Sequence, residues 1–173
     1  MVADQAGLGA GDAVLCRQQG ALGVEHGAEV DQPAGIALAR EQFGLRGDLK
    51  SDAASVLPLT RALAAVPGLR FMRDPTRGGV ATVMHEIVQV SGLGVALQEA
   101  NVPVRDSVRS VCEMLGYDPY FLACEGRVVA VVAADDADRA LAALRAATGG
   151  ADAAIIGSVR EQPARVVLET AIG

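Results

Sequence analysis

The chain has 173 residues, 51% apolar and 21% charged, enough for one domain with a sizeable core and too apolar for a disordered chain. A net charge of −6 without any basic stripe excludes a nucleic-acid binder, because phosphate recognition needs clustered Lys and Arg. The longest apolar run, Val128 to Ala134, is too short to cross a bilayer, and the N-terminus with Asp4 lacks a signal pattern, so a cytoplasmic protein without membrane contact is expected.

Aromatic residues make up only 3% and Trp is absent, so Ala, Val and Leu must fill the core. Side chains of that size favour close packing of helices on a sheet. Cys16, Cys112 and Cys124 are an odd set without CxxC spacing, which argues against a disulfide framework and a zinc site. No metal ligands are expected.

In chain order, Gly11-Asp12 reads as a turn into a short strand at Ala13-Val14-Leu15. From Cys16 to Pro33 glycines and scattered charges follow no helical or strand period, and this stretch reads as irregular. Ala34 to Phe43 is helix-compatible and ends at Gly44. Ser51-Asp52 offer N-cap chemistry for a helix whose inner face carries Val56, Leu59, Leu63 and Val66, with Pro58 in its first turn and Pro67-Gly68 at its end.

Leu69 to Arg73 is a short strand leading into Asp74-Pro-Thr-Arg-Gly-Gly79. Val80, Val83, Met84, Ile87 and Val88 then define the clearest amphipathic helix, stopped by Gly92. Gly94 to Glu99 suits a strand, and Val104, Val108, Val111 and Leu115 mark a helix closed by Gly116. The Val-rich run Arg127 to Ala133 reads as a strand covered on both faces. Asp135 can cap a helix over Ala137 to Ala147, and strands at Ala154 to Val159 and Arg165 to Glu169 follow. Intermingled strands and helices without repeats predict an α+β fold, a mixed β-sheet with packed helices.

The junction at Asp74 to Gly79 is where chemistry is most readily placed. A glycine pair allows positive φ and close approach of a ligand, and the N-terminus of the next helix favours an anion. Asp74 and Thr76 can cap or hydrogen-bond, and Arg77 can pair with phosphate or carboxylate. The loop is neither a Walker A sequence nor a GxGxxG fingerprint, and a plain helix N-terminus with a surface arginine explains it equally well. His85 and Glu86 point about 100° apart on a helix and make no ligand pair. Glu125-Gly126 is a carboxylate where a strand meets a loop, either a site residue or a turn residue. Cys112 fits the core, whereas Cys124 beside Glu125 is less easily explained by packing.

Longer strings carry a resemblance. MRDPTRGGVATVMHEI from Met72, Val102-Pro-Val104, VCEMLGYDP from Val111, CEGRVVAVV from Cys124 and DAAIIGSV from Asp152 resemble, in order and spacing, the HypE family of hydrogenase maturation factors. The likeness covers roughly Gly35 to Gly173. That family belongs with aminoimidazole ribonucleotide (AIR) synthetase, selenophosphate synthetase and thiamine monophosphate kinase. The resemblance implies an AIR synthetase-like C-terminal domain over 35–173, preceded by a linker or remnant and irregular segment over 1–34.

It also implies a reaction. In the family, HypF places a carbamoyl group on a C-terminal cysteine, and ATP with Mg activates the carbamoyl oxygen. Its loss leaves a thiocyanate whose cyano group reaches the iron of a [NiFe] hydrogenase through the HypC–HypD complex. Asp74, Thr76, Arg77, Gly78 and Gly79 match the family's loop facing the nucleotide. Glu125 matches a glutamate suited to deprotonating the carbamoyl nitrogen, with Cys124 in place of the usual Asn. The family forms homodimers, mainly through its ATP-binding domain.

Three departures shape the expectation. An ATP-binding domain would precede Gly11, a tail ending in Pro-Arg-Ile-Cys would follow Gly173, and residues 16–34 read as a frame-shifted stretch between matching segments. The chain is therefore expected to be inactive alone, to bind no ATP by itself, and to self-associate through a face left uncovered. The alternatives are a partner-binding or degenerate piece without catalysis, or a related selenophosphate synthetase-type enzyme.

Overall fold

Two buried faces of one sheet account for most of the apolar sequence. The computed structural model describes residues 7–17 and 53–172. Within them lie β1 (Ala13–Arg17), α1 (Leu57–Ala64), β2 (Leu69–Arg73), α2 (Gly79–Ser91) and β3 (Gly94–Gln98). These are followed by α3 (Asp106–Leu115), β4 (Val128–Val132), α4 (Ala137–Ala146), β5 (Ala153–Arg160) and β6 (Val166–Glu169). The strands form one sheet in the order β2-β4-β1-β5-β3-β6, antiparallel throughout except for the parallel pair β3 and β6. The expected mixed sheet with packed helices is what the chain forms.

Alternation along each strand sorts its side chains between two layers. Val14 and Cys16 of β1, Val129 and Val131 of β4, and Val95 and Leu97 of β3 pack under Val80, Val83, Met84 and Ile87 of α2. On the other face Ala13 and Leu15 of β1 and Val128, Ala130 and Val132 of β4 meet Leu59 and Leu63 of α1 and Ala140 and Leu144 of α4. Helices on both faces are why β4 is apolar without interruption, each of its five residues being buried. Alanines at Ala13, Ala130 and Ala140 bring helix and sheet backbones close on that side.

Helix α3 is the exception. Its inner residues Val108, Val111 and Cys112 pack with Val104, Leu115 and Leu122, so it covers the segment leading to β4 and not the sheet itself.

Several local expectations shift. Cys16 and Arg17 continue β1, because both sides of the strand are paired: Cys16 faces Val129 of β4 and Ala154 of β5. The leading segment, set apart from the domain on sequence, thus supplies a central strand of the sheet. The rest of the irregular stretch, the helix expected at Ala34 to Phe43, and the Ser51-Asp52 cap lie outside the described residues. Helix α1 starts after Val56 without a side-chain cap, with Pro58 at a position where its missing N–H costs little. Asp135 falls inside a 3-10 turn, Ala134–Asp136, and Asp136 is the N-cap of α4, again without a side-chain bond to a backbone N–H of the helix. Asp136 instead pairs with Arg139 at 3.1 Å. Consecutive strands β5 and β6 do not pair with each other, since β3 lies between them.

Candidate functional site

The Asp74–Gly79 loop leaves the end of β2 and enters α2. Gly78 and Gly79 both have positive φ, +67° and +66°, which L side chains rarely adopt. At Gly79 space is also decisive: a Cβ there would run into the Tyr120 carbonyl oxygen and lie 2.7 Å from that of Leu122. The second glycine is therefore required by the backbone at 120–122, a structural reason in addition to any ligand.

Thr76 Oγ1 donates to Asp74 Oδ2 at 2.8 Å. Neither side chain caps α2, whose N-cap, Gly78, makes no side-chain bond. Of the two expected roles, cap or hydrogen-bond partner, Asp74 and Thr76 take the second, as a hydrogen-bonded pair at the surface. Pro75 is buried, while Asp74 and Arg77 are exposed. Arg77 thus sits where a solvent-borne anion can reach it.

Glu125 lies on the turn before β4. The backbone brings this turn against the glycine loop: the Cys124 N–H donates to the Pro75 carbonyl at 3.1 Å. The two segments singled out from sequence are thereby adjacent. Glu125 is exposed, while its neighbour Cys124 is only 2% accessible. Cys124 Sγ donates to the Leu122 carbonyl at 2.9 Å and accepts from Arg127 Nη1 at 2.6 Å.

Arg127 itself is 4% accessible, a permanent cation held inside the fold. Sequence reasoning missed it by reading Arg127 as the start of a strand. An arginine directly ahead of a continuous Val run was the available signal.

Tyr120 lies on the same segment. Burial, and next the nearby Glu99 carboxylate, push its phenol above the ordinary value of 10.0. Cys112 on α3 is raised above 9.0, first by burial and then by Asp118. His85 Nδ1 donates to the Ala81 carbonyl at 2.8 Å, and Glu86 pairs with Arg73 of β2. Both serve α2 locally and neither joins the site. Among the described residues no group of three or more His, Cys, Asp or Glu side chains could hold a metal ion, and no helix is long and apolar enough to cross a membrane.

A sheet flanked by helices, with a glycine loop held against a carboxylate-bearing turn, matches a known domain. Residues 22–169 match the family described as AIR synthase related protein, C-terminal domain, and the chain belongs to that family. Within it the likeness narrows. The chain is 45% identical over 155 residues to the carbamoyl dehydratase HypE of Escherichia coli strain K12, covering 90% of this chain and 44% of that protein.

Solved structures agree. A HypE from a HypE–HypF complex superposes with a TM-score of 0.83 at 36% identity, over 99% of this chain and 53% of that one. A HypE crystallised with ATP gives 0.80 at 35% identity, over 99% and 51%. The chain is similar to HypE proteins and spans about half their length.

Proposed function

We propose that this chain provides the carboxylate-bearing half of a carbamoyl dehydratase acting in [NiFe] hydrogenase maturation, as in the HypE proteins it resembles. The observation that carries the reading is the Cys124 N–H to Pro75 carbonyl bond, which sets Glu125 beside the Asp74–Gly79 loop. A phosphate-facing cation and a base are needed at one place, and the fold brings Arg77 and Glu125 into adjoining segments.

The chemistry asks for both. The oxygen of an S-carbamoyl group leaves poorly as hydroxide, and transfer of the γ-phosphoryl group of ATP onto it creates a phosphate leaving group. Arg77 is suited to pair with the phosphoryl oxygens, where it stabilises charge carried away from the carbon. Glu125 accepts a proton from the carbamoyl nitrogen. The nitrogen electron pair then forms the C≡N bond as the C–O bond breaks. The second nitrogen proton departs with the phosphate, leaving a thiocyanate on sulfur. Magnesium would accompany ATP and offset the charge of its phosphates. The reading brings HypF as carbamoyl donor, HypC–HypD as acceptor and a homodimeric assembly.

The test joins this chain to the ATP-binding half and cysteine-ended tail of the Escherichia coli relative. After S-carbamoylation, addition of ATP should remove the mass of one water from the terminal cysteine. Glu125→Gln should slow that loss on the order of 10²- to 10⁴-fold while ATP binding persists. A folded, ATP-binding chimera that retains the water would overturn the proposal.

A further inference from the structure

Arg127 and Cys124 form a buried pair that the proposed reaction does not use directly. Three contacts converge on Cys124. Its amide donates to Pro75 of the glycine loop, its thiol donates to Leu122, and the Arg127 guanidinium donates to its sulfur. The Leu122 carbonyl is in turn one of the two oxygens that leave no room for a side chain at Gly79. The path runs from Arg127 at the root of β4 to Cys124, whose sulfur reaches Leu122 beside Gly79 and whose amide reaches Pro75, near the two ends of the Asp74–Gly79 loop. Glu125 lies between Cys124 and Arg127 in sequence, so its backbone is pinned on each side by a buried anchor.

Resting on the functional reading above, we infer that Arg127, acting through the Cys124 sulfur, is the positioning residue that holds the Glu125 carboxylate in register with the Asp74–Gly79 loop. A guanidinium suits the task because it stays charged at every working pH and its planar fork directs donors rigidly. A thiol suits the centre of the path because it accepts from Arg127 while donating to Leu122. Burial of both groups gives each bond a low-dielectric setting and excludes water that would otherwise compete. Glu125 reaches solvent, where a substrate can meet it, while the groups that aim it do not.

The test is amide hydrogen exchange on the chain itself, followed by kinetics in the joined protein. Arg127→Met should speed exchange at the Cys124 amide roughly tenfold while the β4 amides of Val129 and Val131 keep their protection. Cys124→Val, which fills the space without accepting a hydrogen bond, should do the same. Cys124→Ser, which keeps both bonds, should restore the parent rate. In the joined protein Arg127→Met should lower kcat roughly 100-fold with KM for ATP unchanged, and Cys124→Ser should keep most of kcat.

A Cys124 amide as protected in Arg127→Met as in the parent overturns the inference, as does a Cys124→Val protein that matches Cys124→Ser. Should Arg127→Met fail to fold, Arg127→Lys decides the matter: one retained donor should give partial protection, and none lost or all lost refutes the path. If the unsubstituted joined protein never dehydrates its cysteine, the functional reading fails, and the exchange rates still decide the linkage by themselves.

Discussion

Replacing Gly79 with alanine tests whether the glycine loop is set by backbone contact with the segment ahead of β4. Two costs combine at this residue. A φ of +66° costs an L residue about 1–2 kcal/mol. The new methyl would also overlap the Tyr120 carbonyl and approach that of Leu122 to 2.7 Å. These are backbone atoms that cannot rotate away, so forcing them apart should add roughly 1–3 kcal/mol. Restricting the unfolded chain returns about 0.4–1 kcal/mol. The net expected loss is about 1–5 kcal/mol, centred at about 3 kcal/mol.

Gly92 supplies the control. Its φ is +71°, but a Cβ there meets nothing within 4 Å, so Gly92→Ala should cost only about 1 kcal/mol. Urea unfolding of both variants, compared at equal m, measures the difference directly. The Gly79 variant should also melt several degrees lower, since about 1 kcal/mol corresponds to roughly 2–4 °C in a chain of this size. Equal losses in the two variants, within about 0.5 kcal/mol, would refute the contact argument and leave only the strain of positive φ.

Other consequences follow from the same structure. Leu144→Ala, at a residue 1% accessible between α4 and the sheet, should cost about 2–5 kcal/mol, whereas Leu57→Ala, at 51%, should change the urea midpoint little. Cys112 and Tyr120 keep their protons longer in the folded state than in the unfolded one. The stability they contribute is complete below about pH 9 and is lost as pH rises through their raised values. Urea midpoints measured from about pH 8 upward should therefore fall, less steeply in Tyr120→Phe, and a midpoint that climbs would contradict the sign. Arg73→Ala breaks the pair with Glu86, but both partners are substantially exposed, so thermal denaturation should show a loss under about 1 kcal/mol.

Most elements could be read from the chain because their signals are local. The apolar positions Val80, Val83, Met84 and Ile87 recur with helical spacing, and all four are buried on α2. The uninterrupted Val128–Val132 run announced a strand covered on both sides, and Leu69–Arg73 has the bounds expected of it. The loop Asp74–Gly79 and the carboxylate Glu125 were likewise visible as residue types at element ends.

What sequence patterns left open depends on contacts between distant segments. Nothing local at Ala13–Arg17 says that it lies between β4 and β5, because a strand's partners are chosen by the surfaces available after the helices dock. The same holds for β3, which separates β5 from β6. Asp74 and Thr76 could cap or hydrogen-bond by residue type; they bond each other, while φ at Gly78 and the backbone at 120–122 set the entry to α2. The sequence by itself determined most of the helices and strands and the two loops proposed to bear the chemistry, since each rests on the periodicity and conformational preference of neighbouring residues. Only the tertiary structure decided that Pro75 meets Cys124 and that Arg127 is buried behind them, because a hydrogen bond between segments exists only once the sheet has brought its strands into order.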